Sequence, residues 1–137
     1  MSLIDAIHVA GSGAKAQASR LQLSASNLAN ANTVASSSAE AYKAKHAVFE
    51  TMVNSSSALN SKVAVTGVVH SNAPIEKEYA PDHPLADKDG FIFHSNVNRM
   101  VELADVMTST DSYQANIEML GSLKKLMQQT MQIIGKI

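Results

Sequence analysis

The chain has 137 residues, a formal net charge of −1, no cysteine and only six aromatic side chains. This length is typical of one domain, and the small number of aromatic residues argues against a large conventional core. No run of Lys and Arg is longer than two residues and no apolar run approaches the ~20 residues of a membrane span, which argues against nucleic acid, an anionic membrane surface and a membrane-spanning role.

The beginning of the chain predicts an amphipathic helix. Apolar and small residues recur at gaps of three and four, which places them on one helical face in a heptad pattern. The members of this N-terminal stripe are Ile4, Ile7, Gly11, Ala14, Ala18, Leu21, Ala25 and Leu28. Ser2 and Asp5 are predicted to form a capping box at its start. Because Gly11 and Gly13 each weaken a helix by about 1 kcal/mol, we expect this helix to become ordered only when it is packed.

The same segment differs from a cleaved secretory signal. Its first 13 residues, MSLIDAIHVAGSG, have no basic start and carry Asp5 among their apolar residues. A secretory signal has a basic beginning and an apolar centre. We therefore expect that any export of this protein uses a route without a cleaved signal.

Three asparagines mark the end of the first helix. Asn27, Asn30 and Asn32 are poor helix-interior residues because the amide side chain competes for backbone groups, so the helix is predicted to end within 30–32. Stopping the helix is one sufficient explanation for this run. The Ser/Ala-rich residues 34–39 then predict an extended link. Residues 42–53 are ambiguous between strand and helix, with extended structure favoured up to Phe49.

The middle of the chain predicts a small antiparallel β element. The segments that form it are rich in β-branched residues or alternate apolar and charged residues. The predicted strands are residues 62–70, 75–79 and 90–94. Serines and asparagines at 55–57 and 60–61 predict a loop, and Pro, Asp and Gly at 81–84 and 87–90 predict turns.

Residues 95–137 predict a second, longer helix that contains no proline. Ser95, Asn96 and Asn98 are equally suited to cap it. Its C-terminal stripe consists of Met100, Ala104, Met107, Tyr113, Ile117, Leu120, Leu123, Met127, Ile134 and Ile137. At about 1.5 Å per residue the helix would be roughly 60 Å long, which exceeds the width of a compact domain of this size. Its stripe therefore needs a partner outside a single globular core.

The two stripes complement each other, since small side chains dominate the centre of the first and bulky ones dominate the second. The predicted fold is mainly α, with long N- and C-terminal helices that pair as a coiled coil, either with each other, with further copies, or both. The predicted segments are an N-terminal helix at 1–33, an extended linker with a small β element at 34–95, and a long helix at 96–137. An ordinary four-helix bundle is the alternative.

No residue pattern in the sequence predicts catalysis or a cofactor. The histidines His8, His46, His70, His83 and His94 have no metal-ligand spacing and no cysteine beside them. Three aspartates within 82–89 lack the spacing of a calcium loop and suit turns better. The glycines at 11 and 13 lie in a predicted helix that no strand precedes, so they do not form a phosphate loop. We expect no enzyme, no metal and no cofactor.

Several short motifs resemble one protein family, in the order in which that family carries them. The first is the run NLANANT, with Asn27, Ala29, Asn30 and Thr33 at the matching positions. The middle motifs are residues 42–45, Phe49, residues 73–74, Tyr79, residues 84–87 and Gly90. The last are residues 96–98 and the run SYQANIEML, which contains Gln114 and Asn116. Together they resemble the flagellar rod and hook proteins, most closely the members of the proximal rod.

Two positions depart from the family pattern. Residues 34–36 read VAS where many relatives have a glycine followed by an aromatic residue, and His83 stands where asparagine is expected. The first departure is itself typical of proximal-rod members, and the second is a neutral change within a turn. The short middle segment argues against a hook protein, because hook proteins carry large insertions between their terminal helices.

The resemblance implies a structural subunit of the flagellar basal body, located in the periplasmic rod and exported without a cleaved signal peptide. Such subunits assemble into a helical tube that transmits torque and serves as an export channel. The implied partners are further copies, other rod proteins, the adaptor between rod and membrane ring, and the flagellar type III export gate. Phe49 and Val53 are similar to the family's export-gate motif, although packing explains Phe49 equally well.

The implied packing residues lie on the two stripes. They are Ile4, Ile7, Ala14, Ala18, Leu21, Leu28, Met100, Met107, Tyr113, Ile117, Leu120, Leu123, Met127 and Ile134. Two alternatives stay open at this point. One is a secreted coiled-coil adaptor or chaperone that forms a closed oligomer, and the other is a relative from the distal rod or hook.

Overall fold

A computed structural model describes residues 2–54 and 57–134. In these residues two long helices flank five strands along the chain, which confirms the prediction of a mainly α-helical chain with a small β element. In chain order the elements are α1 (Leu3–Ala29), β1 (Val34–Ala35), β2 (Lys45–Asn54), β3 (Ser57–His70), β4 (Lys77–Tyr79), β5 (Phe91–His94) and α2 (Arg99–Ile134). Within the described residues, neither helix has a stretch that is both long and apolar enough to cross a membrane.

Both ends of α1 are closed by side chains. The amide of Ser2 donates to Asp5 Oδ2 at 2.8 Å and the amide of Asp5 donates to Ser2 Oγ at 3.3 Å, which confirms the predicted capping box. At the other end Asn30 Nδ2 donates to the carbonyl oxygen of Ser26 at 2.8 Å, and Thr33 Oγ1 donates to that of Asn30. The first bond adds a donor to a carbonyl group of the last turn and the second satisfies the carbonyl group just beyond the helix, which ends at Ala29.

The helix α2 begins after Asn98, which settles the choice among its three candidate caps. Asn98 Oδ1 accepts hydrogen bonds from the amides of Met100 at 3.1 Å and Val101 at 3.2 Å. Ser95 and Asn96 hold other parts of the chain instead. Ser95 Oγ, for example, donates to the carbonyl oxygen of Ala31 at 2.9 Å.

The strands form two separate sheets. In the first sheet β5 lies between β1 and β4, and both pairings are antiparallel, with Val34 opposite His94 and Tyr79 opposite Phe91. Ile92, at the centre of β5, is buried. In the second sheet, as far as the described residues show it, β2 pairs with β3.

The sequence predicted one sheet of three strands, and this prediction is wrong for one of the three. Residues 62–70 belong to the longer strand β3, which pairs with its sequence neighbour β2 instead of with β4 or β5. The third strand of the first sheet is β1, within the segment predicted as a link, because the amide of Ser95 donates to the carbonyl oxygen of Thr33 and aligns the two segments. The predicted loop is also wrong where the structure describes it: Ser57, Asn60 and Ser61 lie in β3, and residues 55–56 lie outside the described residues.

The chain divides into two compact units, and each helix contributes to both. The first unit comprises Met1–Ser19, Val48–Gly67 and Thr108–Ile137, and the second comprises Arg20–Ala47 and Val68–Met107. Among the described residues, the buried apolar side chains are alanines apart from Ile92. The largest fully buried side chains are polar ones, those of Glu102, Asn27 and Ser109. The interior of this chain is thus made of small and polar groups.

Candidate assembly site

Asn27 is the centre of the hydrogen-bond network in the second unit. Its side chain is completely buried. Its Oδ1 atom accepts from the amide of Lys45 at 2.9 Å and from the Tyr42 hydroxyl at 3.0 Å. Its Nδ2 atom donates to the carbonyl oxygen of Lys45 and to Glu102 Oε1, both at 2.9 Å. All four hydrogen-bonding positions of the amide are used, so one side chain joins α1, the start of β2 and α2.

Asn96 forms a second network of the same kind. Its Oδ1 atom accepts from the amide of Ala44 at 2.8 Å. Its Nδ2 atom donates to the carbonyl oxygens of Ser71 at 3.2 Å and Ala73 at 2.9 Å. The residues just before α2 are thereby tied to the segment that leads into β2 and to the segment that follows β3.

In the first unit the two helices meet at a glycine. A Cβ atom added to Gly13 would lie 3.0 Å from Asn116 Oδ1 and 3.3 Å from its Cγ. Asn116 is fixed on its own helix because its Nδ2 atom donates to the carbonyl oxygen of Ser112 at 2.8 Å. The side chain of Asn116 therefore occupies the space that any larger residue at position 13 would need.

The two glycines of α1 have different surroundings. A Cβ added to Gly11 meets nothing within 4 Å. We expect Gly11→Ala to raise the free energy of unfolding by about 0.5–1 kcal/mol, since it removes the flexibility of glycine from a helix. We expect a smaller gain or a loss for Gly13→Ala, because Asn116 must move. Urea unfolding of the purified chain followed by circular dichroism measures both, and an equal gain in the two variants would contradict the close contact at Gly13.

The predicted N-terminal stripe is split between interior and surface. Ala14 is buried, while Ile7, Leu21 and Leu28 are half-buried. Ile4 is 59% exposed, and Ala18 is exposed as well. The most buried polar positions, Ser24 and Asn27, each precede a stripe residue by one position. Neighbouring residues of a helix point about 100° apart around its axis. The face that turns inward is therefore the one beside the stripe, which carries smaller and more polar side chains.

The predicted C-terminal stripe shows the same division. Leu120, Leu123 and Met127 are half-buried, and the side chain of Ile134 lies outside the described residues. Ile137 lies outside the described residues, and the large side chains that remain are exposed: Met100 at 76%, Met107 at 63%, Ile117 at 43% and Tyr113 at 38%. The inward positions of α2 include Glu102 and Ser109 instead.

A further apolar stripe on α2 was not predicted. Met119, Leu126 and Ile133 are separated by seven residues, and they are 54%, 52% and 66% exposed. Residues seven apart lie on nearly the same helical face. We name these three residues the outer stripe. Its spacing is visible in the sequence, but only the structure shows that it is separate from the inward side of the helix.

The remaining predicted positions occupy varied surroundings. Phe49 is half-buried in β2, whereas Val53 on the same strand is 60% exposed. Gln114 and Ala29 are exposed on their helices. No group of three or more His, Cys, Asp or Glu residues with the geometry of a metal site occurs in the part of the chain that the structure describes.

Comparison with known proteins identifies the family of this chain. Residues 7–34 match the family model described as flagella basal body rod protein, and residues 88–133 match the one described as flagellar basal body rod FlgEFG protein C-terminal. The chain is 39% identical over 131 residues to the flagellar basal-body rod protein FlgC of Salmonella typhimurium, covering 96% of this chain and 97% of that protein. It is 30% identical over 128 residues to FlgC of Agrobacterium fabrum, covering 92% and 91%. The chain belongs to the FlgC family of flagellar basal-body rod proteins.

Membership of the FlgC family confirms the resemblance found in the sequence. The first matched region contains Asn27, Asn30 and Thr33, and the second contains Glu102 and Asn116. The Asn27–Glu102 hydrogen bond and the close approach at Gly13 thus each join the two regions that the family models recognise. The matched FlgC proteins are named as rod proteins, which agrees with the prediction that this chain is not an enzyme.

Proposed function

We propose that this chain is a structural subunit of the flagellar basal-body rod, assembled with further copies and with other rod proteins. The observation that supports this most directly is the distribution of side-chain size. Ala10, Ala14 and Ala16 are buried, while the bulky side chains of Met107, Leu126 and others stay more than half exposed. Scattered exposed apolar residues are ordinary, but stripes at heptad spacing along a helix are typical of surfaces that pack against other helices.

We infer that α1 and α2 pair as an antiparallel coiled coil within the chain. In the first unit Gly13 meets Asn116, and in the second unit Asn27 meets Glu102. The positions advance by 14 residues along α1, from 13 to 27, and go back by 14 along α2, from 116 to 102. Moving forward along α1 while moving back along α2 is what antiparallel pairing requires. The groups at both contacts are small or polar, so the pairing contributes specificity of register more than hydrophobic free energy.

Assembly into the rod would supply the missing burial. Each exposed Met, Leu or Ile gains about 1 kcal/mol when half of its surface is covered, and these gains sum along a helix. The paired helices would then be stabilised further by neighbours, so part of their stability comes only with assembly. Contacts between unlike surfaces of identical copies generate a helical filament. Many parallel helices bound along their length form a stiff tube, which suits torque transmission and leaves an export channel at the centre.

The resemblance supports three finer features of the proposal. The rod segment is the proximal one, in the periplasm, and the partners include the adaptor to the membrane ring. The subunit reaches the rod through the flagellar type III export gate, without a cleaved signal peptide. Val53 is the exposed member of the gate-like motif, so it is available to a receptor without rearrangement of β2, whereas Phe49 is half-buried.

Hydrogen exchange tests the proposal by comparing the purified single chain with isolated rods. We expect residues 3–29 and 99–134 to be only partly protected in the single chain, residues 62–94 to be more protected, and both helices to become strongly protected in the rod. The physical reason is that the helices lose most of their apolar partners when no neighbour is present. Full protection of both helices in a soluble closed oligomer would contradict the rod proposal and favour the adaptor.

A further inference from the structure

The second unit contains a cavity of positive charge. Its volume is about 340 Å³. Its lining consists of Ala39, Ala41, Tyr42, Lys43, Lys45, His70 and Asn72. There is no carboxylate among these residues, and no ion pair to Lys43 or Lys45 occurs within residues 2–54 and 57–134. At roughly 30 Å³ per water molecule, the space is wide enough for an acidic side chain. We name it the basic cavity.

The wall of the basic cavity is held in place by the Asn27 network. The ammonium group of Lys45 lies 5.4 Å from the centre of the Tyr42 ring, a cation–π contact. The hydroxyl of Tyr42 donates to Asn27 Oδ1, and both backbone polar groups of Lys45 bond to the Asn27 side chain. The Tyr42 ring and the backbone of Lys45 are therefore held in place before any ligand arrives, which lowers the entropic cost of binding.

The same unit presents a rigid acidic segment, residues 80–90, which we name the acidic loop. The amide of Ala80 donates to the carbonyl oxygen of Gly90 at 2.9 Å and closes the loop. Gly90 has a φ of 81°, and a Cβ there would lie 2.9 Å from the Tyr79 ring, so the closure requires glycine. Asp87 Oδ1 accepts from the amides of Asp89 and Phe91, whereas the side chains of Asp82 and Asp89 are exposed.

We infer that the acidic loop of one copy docks in the basic cavity of the next copy. No residue of the loop lines the cavity of its own chain, and a second copy presents the same exposed aspartates, whose charge is opposite to that of Lys43 and Lys45. The two surfaces differ, which makes the contact heterologous and lets it repeat from copy to copy. Exposed ion pairs add little affinity, but complementary charge orients partners and rejects wrong registers. The contact would therefore set the register of copies that the apolar stripes hold together, and it rests on the proposed rod function.

Cysteine cross-linking in assembled rods tests the contact directly, because the chain has no cysteine of its own. We expect a chain that carries both Lys43→Cys and Asp89→Cys, or both Lys43→Cys and Asp82→Cys, to give a ladder of dimers and larger products with a short thiol-reactive cross-linker. Each single variant should give no ladder. The matched control pairs Lys62→Cys, an exposed lysine on β3, with Asp89→Cys. Products no stronger than this control, or cross-links only to a different rod protein, would overturn the inference.

Swimming of cells that lack their own copy of the gene gives a second measurement. We expect Lys43→Glu and Asp89→Lys each to reduce the swimming halo severalfold, and the two together in one chain to restore it, because the swap recreates opposite charges. If both single variants swim like the unchanged chain, the inference fails while the rod proposal stands. If the unchanged chain does not restore swimming, the rod proposal itself fails.

Discussion

Replacing Asn27 by alanine is expected to lower the free energy of unfolding by about 3 kcal/mol. Leaving a buried donor or acceptor without a partner costs about 1–3 kcal/mol. The substitution removes four hydrogen bonds, two to the backbone of Lys45, one to Tyr42 and one to Glu102. Water can reach some of these groups because Tyr42 and Lys45 are only half-buried. The expected loss of stability is therefore smaller than the sum of the costs of four unpaired groups. Urea unfolding of the purified chain measures the change.

The matched control is Asn32→Ala. Asn32 is exposed, and its Oδ1 atom accepts one long hydrogen bond from Arg99 at 3.3 Å. Surface changes of this kind usually alter stability by no more than about 0.5 kcal/mol. Because a typical domain has only about 5–15 kcal/mol of stability, the Asn27 variant should also fail to support swimming. Equal stability of the two variants would show that the Asn27 network does not hold the helices together.

Replacing Leu126 by aspartate is expected to abolish incorporation into the rod while leaving the single chain folded. Leu126 is 52% exposed at the centre of the outer stripe, so a carboxylate there meets water in the single chain. In a packed assembly the same carboxylate would be buried without a partner, which is strongly unfavourable. The swimming halo and electron micrographs of isolated basal bodies measure incorporation, and the urea midpoint should stay within error of the unchanged chain.

Lys125→Asp is the control beside it. Lys125 is also exposed on α2, but it points about 100° away from Leu126. We expect this variant to swim nearly normally, since its side chain lies off the outer stripe. Normal swimming of the Leu126→Asp cells would exclude the outer stripe from assembly. A lowered urea midpoint for Leu126→Asp would instead show that the residue stabilises the single chain.

The hydrogen-bond networks were the least predictable part of the site. Asn27 and Asn30 are three residues apart and look alike in the sequence, yet Asn30 closes the end of α1 while Asn27 bonds to groups 18 and 75 residues away. Nothing in the sequence indicated that Glu102 would be the buried partner of Asn27, because an acidic residue in the first turn of a helix is ordinary. A sequence shows which side chains can form four hydrogen bonds, but their partners depend on how distant segments meet.

The sequence by itself determined both long helices, the capping box, two of the three strands of the first sheet and the family. These features depend on residues near one another in the chain, through helical periodicity, caps and turn chemistry. Only the tertiary structure decided that β1 completes the first sheet, that β3 pairs with β2, and that small polar faces of the helices turn inward while Met107 and Leu126 stay outside. The reason is that heptad spacing shows which residues share a face, whereas the choice of face depends on the neighbour that covers it.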